Sequence, residues 1–437
     1  MNIDTLIDAR WVIPVNPHDT VLENHSVAIH DGRILDILPT SETDRYQAET
    51  SHSLHSHALI PGLINAHTHA SMNLMRGLAD DLPLMTWLNE HIWPAEQKWV
   101  NEEFVADGTR HAIAEMMRGG VTCFNDMYFY PDVTARVCAD AGMRAVVGLI
   151  MIDFPSAWAG SSDEYLHKGI EVHDHYRKHP LITTAFAPHA PYSVSDEPLE
   201  KIRTLADELG MQIHIHLHET QDEINQGLEK YGVRPIQRMH DLGLLSPSLI
   251  AVHMTRLQDD EIELFAQSGA NAIHCPESNL KLASGFSPVA KMLQAGINVA
   301  IGTDSAASNN DLDMFSEMRS AALLAKGVAQ DASALPAATA LRMATYNSAQ
   351  ALGIAEDTGS LEIGKYADIT AVNLDSIESQ PIYHPISQLV YASSRNMVSD
   401  VWIAGKQMVK GGELTTLDRD QILADSAQWQ QNLKQQA

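Results

Sequence analysis

Cysteine is scarce in this chain. Its 437 residues include three, Cys123, Cys138 and Cys275, and no two are spaced as C-x-x-C. That excludes a disulfide framework and a zinc site built on thiolates, and it suits a reducing cytoplasm. Long apolar runs are missing too. No stretch of about 18 apolar residues occurs, so no membrane span is expected. The first residues lack a basic segment followed by an apolar one, so no signal peptide is read. Positive charge is in deficit, with 29 Lys and Arg against 56 Asp and Glu, a formal charge of −27. Such a surface repels phosphate backbones and argues against nucleic acid as a partner. Internal repeats, low-complexity linkers and long charge runs are also absent. What remains has an ordinary globular composition, 45% apolar and 19% charged, in a chain long enough for a large domain and a smaller one.

Residues 1–61 read as β structure. Strand-like segments are Thr5-Leu6-Ile7, Arg10–Ile13, Ser26–His30 and Arg33–Ile37, and His30-Asp31-Gly32-Arg33 is a hairpin signal. From Pro61 the pattern changes to short apolar strands alternating with helix-length amphipathic stretches. Eight strands are expected: Leu63–His67, Val121–Asp126, Arg144–Leu149, Ile182–Ala187, Gln212–Leu217, Leu249–His253, Asn271–His274 and Asn298–Thr303. Helices are expected between them, among them Glu102–Arg118, Glu197–Leu209, Asp259–Ser268 and Val289–Ala295. Eight strand–helix units in sequence predict an α/β fold, a (β/α)8 barrel over residues 62–358, with a doubly wound sheet as the alternative. After Thr358 the pattern reverts to β, with Ile369–Val372, Val398–Ile403 and Lys406–Lys410, the last two joined by Ala404-Gly405. Residues 1–61 and 359–437 are expected to pair into one small β-sandwich, with a polar terminal helix over Asp418–Gln435.

In such a barrel the chemistry sits where the strands end. His67 and His69 end the first strand and project the same way, because strand side chains alternate. A pair of satisfied loop histidines would explain His67-Thr68-His69 taken alone. His214, His216 and His218 alternate along the fifth strand and share a face, and Glu219 follows. The sixth strand ends in His253, the seventh in His274, and the eighth runs into Gly302-Thr303-Asp304. The fourth leads into His189. Ligand types and proton carriers recurring around one rim argue for a metal site. Three histidines with a carboxylate suit Zn²⁺, with Fe²⁺ or Mn²⁺ as alternatives.

These residues resemble the amidohydrolase superfamily and, within it, the methylthioadenosine/S-adenosylhomocysteine deaminase branch. The matching pieces are Pro61 through His69, His216-Leu217-His218-Glu219-Thr220, Ala251-Val252-His253, His274-Cys275-Pro276 with Ser278 through Leu282, Gly302-Thr303-Asp304, and Gly364 through Asp368. The resemblance implies that His67, His69, His216 and Asp304 hold one metal, one Zn²⁺ per subunit. Binuclear relatives carry a lysine at the end of the fourth strand, where this chain has Ala187-Pro188-His189. It implies catalytic roles for Glu219, His253 and Asp304, and a nucleoside held by Trp87, Glu96 and His189 together with Glu219 and Asp304. Without it, Trp87 would be read as core and Glu96 as a surface helix residue. The activity implied is hydrolytic deamination at C6 of an adenine nucleoside in the cytoplasm, by a homo-oligomer, dimer or tetramer. The alternatives are a guanine, triazine or pyrimidine hydrolase of the same superfamily, or a non-catalytic assembly protein that has lost its ligands. Met151–His167 holds no Lys or Arg. Its Met151, Phe154 and Trp158 are expected to cover a methylthio group, and its Asp153, Asp163 and Glu164 to repel a carboxylate.

Overall fold

All eight short apolar segments form strands of one parallel sheet, in the order of the sequence. The structure is a computed structural model that describes residues Met1–Lys434. The strands are Leu63–Thr68, Val121–Tyr128, Arg144–Met151, Ile182–Pro188, Ile213–Leu217, Leu249–His253, Asn271–His274 and Asn298–Ile301, called here barrel strands one to eight. Most of their residues are buried, as expected for strands packed on both faces, where near-continuous apolar runs replace alternation. The sheet closes between strands eight and one. The Asp304 backbone N–H donates to the His67 carbonyl at 3.0 Å, and the Thr303 N–H to Asn65 Oδ1 at 2.9 Å. This closure excludes a doubly wound sheet. Gly302 permits it, because a Cβ there would lie 2.6 Å from the His67 backbone nitrogen.

The helices follow from caps and amphipathic spacing. Glu102–Arg118 begins after Asn101, whose side chain accepts from the Phe104 N–H. Its buried face includes Phe104, Ala112, Ile113 and Met116, close to the three- and four-residue spacing of an amphipathic helix. Asp196–Leu209 and Gln221–Tyr231 each end at a glycine with positive φ, Gly210 and Gly232, the usual left-handed stop.

The remaining strands form a second, mixed sheet of eight. Its centre is Gln47–Pro61, which pairs in parallel with Asn2–Val12 and antiparallel with Ile369–Asn373. Asn2–Val12 merges the two segments read separately above. Gln47–Pro61 is not among the strand segments read from sequence, because its Ser and His alternation gives it no apolar run over most of its length. The two hairpins read from sequence are present, with positive φ at Asp31 and Gly32 and at Ala404 and Gly405. They meet. A Cβ on Gly405 would lie 2.8 Å from Gly32 Cα, so the sheet bends back on itself as a sandwich. Trp402, Ile29, Ile7 and Leu59 fill that bend. Two helices from the C-terminal segment lie on the barrel. Pro385–Tyr391 packs beside Ala337–Met343, and Arg419–Lys434 lies on Glu102–Arg118, with Trp429 Nε1 donating to Asp107 Oδ2 at 3.0 Å. Gln435, the last residue of the expected terminal helix, lies outside the described residues.

Candidate active site

Four donor atoms converge at the C-terminal rim of the barrel. His67, His69, His216 and Asp304 each offer one ligand atom, all within 4.8 Å of one another. Asp304 Oδ1 is 3.3 Å from His67 Nε2 and 3.2 Å from His69 Nε2, and His216 Nε2 is 3.2 Å from His67 Nε2. The far side of each ring explains the orientation. His69 Nδ1 donates to the Met127 carbonyl at 2.5 Å and His216 Nδ1 to the His189 carbonyl at 2.7 Å. His67 Nδ1 lies 2.9 Å from His214 Nε2. With protons on Nδ1, the Nε2 lone pairs face one another and a carboxylate oxygen, an arrangement that asks for a cation. Burial pushes the His67 pKa down to about 4 and that of His216 well below its ordinary value, while at His69 burial is outweighed by Asp304 together with the Met127 carbonyl and Asp126, and the pKa is raised. Burial alone would raise the Asp304 carboxyl, but the His67 and His69 rings beside it hold it well below the carboxylate range. The donor set therefore fits a tetrahedral zinc site of nitrogen and oxygen ligands.

Asp304 is held on its other side as well. Ser278 and Ser308 both donate to Oδ2, at 2.6 and 2.8 Å. His253 Nδ1 lies 2.8 Å from Asn279 Oδ1, which directs Nε2 into the site, 3.9 Å from Glu219 Oε2. Burial raises the Glu219 pKa, offset in part by His253. Behind it, Glu223 accepts the backbone N–H groups of His218 and Glu219 at 2.8 and 2.7 Å. His253 and Asp304 both sit at positive φ, 76° and 64°, a strained conformation for non-glycine residues that concentrates at functional sites.

His218 departs from the expectation that the three histidines of strand five face one way. The strand ends at Leu217, His218 has φ 55°, and its Nε2 accepts the Ile236 N–H at 3.0 Å. Its ring therefore turns away from the donor cluster. His214 does point inward, one layer below the ligands and fully buried.

A cavity of about 860 Å³ opens above the cluster. His69, His216, Asp304, Glu219, His253, Trp87, Glu96 and His189 all line it, and His67, the remaining sequence-predicted site residue, joins the donor cluster from fully buried beneath. Trp87 contributes its ring rather than its N–H, because Nε1 donates to the Ala79 carbonyl at 3.1 Å. Glu96 stands in the helical segment Trp93–Trp99 over the barrel mouth, and burial pushes its pKa up to about 7 against the opposing bond from Tyr128. His189 Nδ1 lies 2.9 Å from Ser193 Oγ, and burial brings its pKa down to about 3.

The outer wall is mostly apolar, with Met85, Leu88, Ile92, Phe129, Ile152 and Phe154 beside the polar Asn89, Gln97 and Gln226. No Lys or Arg lines the cavity among the described residues. Two details of the expected wall are corrected. Met151 and Trp158 do not line the cavity. Ile150 and Ile152 do, because alternation turns Met151 the other way, and Trp158 packs against Tyr165 with ring centroids 5.6 Å apart. The acids are engaged elsewhere, Asp153 with the Ser195 N–H, Asp163 with Lys201 and Glu164 with Lys168.

Tyr128, Asn279, Ser278, Ser308 and Glu223 were not singled out as site residues from sequence. Strand two was ended at Asp126, two residues short of Tyr128. Thr220-x-x-Glu223 is a capping-box spacing, which was available as a signal.

A closed (β/α)8 barrel carrying three histidines and an aspartate at its C-terminal rim defines the class of metal-dependent barrel hydrolases. This chain belongs to the amidohydrolase family, which it matches over residues 58–408. It is 52% identical over 432 residues to a 5-methylthioadenosine/S-adenosylhomocysteine deaminase of Teredinibacter turnerae, covering 99% of this chain and 98% of the relative. Among solved structures it is similar to an adenosine deaminase from Xanthomonas campestris with bound zinc, at 52% identity and a TM-score of 0.98, with 99% of each chain covered. A zinc complex of the atrazine chlorohydrolase of Arthrobacter aurescens aligns over 97% of this chain and 99% of its own, at a TM-score of 0.92 and 23% identity. That likeness is one of fold alone.

Proposed function

We propose that this chain is a zinc-dependent deaminase that hydrolyses the 6-amino group of adenine nucleosides, with 5′-methylthioadenosine preferred. The observation that carries this reading is one continuous cavity. Its floor holds the four-donor cluster with Glu219 and His253, and its outer wall is mostly apolar. The relatives named as deaminases over the full chain support the same reading. The family's triazine hydrolases and guanine deaminases share the barrel, but their identity to this chain is 19–23%.

His67, His69, His216 and Asp304 would hold the ion. A bound zinc supplies Lewis acidity and brings the pKa of water down to about 7. Asp304 takes a proton from the attacking water. His253 orients that oxygen through Nε2, its tautomer set by Asn279. Glu219, its pKa raised by burial, gives a proton to purine N1 and makes C6 electrophilic. Oxygen adds at C6, Asp304 passes its proton to the amino group, the C6–N bond breaks and ammonia leaves, the C6 hydroxyl proton returns to Glu219, and adenine becomes hypoxanthine. Glu96 and His189 offer two acceptors to the two hydroxyl donors of a ribose.

The 5′ substituent meets the apolar wall. A methylthio group fits it, whereas the carboxylate of S-adenosylhomocysteine needs a cationic partner, and no Lys or Arg among the described residues lines the cavity. The three cysteines are free and buried, in keeping with a reducing cytoplasm.

The test is ammonia release by zinc-loaded protein from a panel of adenine nucleosides, guanine and a chlorinated triazine. Release from 5′-methylthioadenosine and adenosine is expected, with kcat/KM for S-adenosylhomocysteine lower by about tenfold or more, the cost of one missing charged partner. Turnover of guanine or triazine without turnover of any adenine nucleoside would reject the reading.

A further inference from the structure

Tyr128 has no part in the chemistry at C6, yet it closes the second barrel strand beside the donor cluster. It is 4% exposed, and its hydroxyl donates to Glu96 Oε1 at 2.8 Å. The two residues come from different parts of the fold. Tyr128 belongs to the rigid strand Val121–Tyr128, and Glu96 to the helical segment Trp93–Trp99 laid over the mouth. Among the described residues Glu96 makes no ion pair, and Tyr128 is its hydrogen-bonding partner across that gap. Burial keeps the phenol proton in place by raising its pKa well above 10, so Tyr128 is a permanent donor. One Glu96 oxygen is thereby fixed, and above about pH 7 the ionised group leaves the other as an acceptor in the cavity that both residues line.

We propose that Tyr128 is a positioning residue that fixes the Glu96 carboxylate for the ribose hydroxyls and so sets the enzyme's preference for ribosyl over dideoxyribosyl substrates. This inference rests on the nucleoside deaminase reading above. A carboxylate free to rotate about its last bonds loses part of each hydrogen bond to ordering entropy. A substrate without hydroxyls has nothing to gain from the carboxylate and is indifferent to Tyr128.

The experiment compares steady-state kinetics of wild type and Tyr128→Phe on adenosine and 2′,3′-dideoxyadenosine, with zinc content measured alongside because the Tyr128 ring lies 6.5 Å from that of His69. The expected result is a rise in KM for adenosine of about tenfold, the scale of a weakened hydrogen bond to a charged group. Its kcat, zinc content and the dideoxy substrate's kinetics should stay near wild type. Glu96→Gln should lose the same ribosyl preference, and Tyr128→Phe in that background should add no further loss. Equal losses on both substrates, or an unchanged ratio in Tyr128→Phe, would overturn the inference and leave the deaminase reading standing. A zinc-loaded wild type inactive on every adenine nucleoside would overturn both.

Discussion

At the scale of single residues, the site separates holding a metal from moving a proton. His67, His69, His216 and Asp304 converge within 4.8 Å, while Glu219 stands apart, raised in pKa by burial and 3.9 Å from His253. Glu219→Gln should therefore retain zinc and lose at least ~10²-fold in kcat, the scale of general acid–base groups. Zinc content and turnover measured on the same sample check this. Near-normal turnover would assign N1 protonation to another residue. The donor types were legible because ligand and proton-carrying residues recur at the ends of several strands around one rim, although His67-Thr68-His69 alone would suit satisfied loop histidines. Their supports were not. That Ser278 and Ser308 share Asp304 Oδ2, or that Glu223 reaches back to two backbone N–H groups, depends on loops meeting in space.

At the scale of elements, strands were easier to read than the turns that follow them. Leu249–His253 and Asn271–His274 keep the bounds read from sequence, because each is a short apolar run closed by polar residues. Strand two extends past Asp126 to Tyr128. The reading stopped at a charged residue that turns out to be buried, accepting the Ala70 N–H at 2.7 Å. Strand five stops where alternation would have continued, because His218 takes a positive φ. Periodicity cannot foresee such a break, since no glycine marks it. Gln47–Pro61 was hidden for the opposite reason. Its Ser and His residues are central in a sheet only because Asn2–Val12 and Ile369–Asn373, far apart in sequence, flank it.

At the scale of the whole molecule, buried titratable groups tie stability to pH. Burial raises the pKa of Glu96 to about 7 and that of Glu223 to about 8. Between the ordinary carboxylate range and those values the folded protein binds protons that the unfolded chain has released. Their stabilisation is complete in acid and is lost as pH rises through the folded values. Buried histidines act with the opposite sign, since His67, His189, His214, His216, His218 and His274 are all lowered, and only above about pH 7.5 are they neutral in the unfolded chain as well. The chelated protein should therefore lose stability from about pH 7.5 as pH rises through the Glu223 value of about 8, by at most roughly 1.4 kcal/mol per pH unit for that glutamate. Denaturant midpoints across that range test it, and a flat or rising profile would contradict it.

The central claim is zinc-dependent removal of ammonia from an adenine nucleoside at the barrel rim. Its most direct test is to follow ammonia and the inosine derivative formed from 5′-methylthioadenosine by one preparation, before chelation, after chelation, and after zinc is restored. The account predicts one ammonia per nucleoside consumed, activity abolished by chelation, and recovery complete at about one zinc per chain, the capacity of a single tetrahedral site. Full activity in the chelated protein, or recovery that requires two ions per chain, would contradict it.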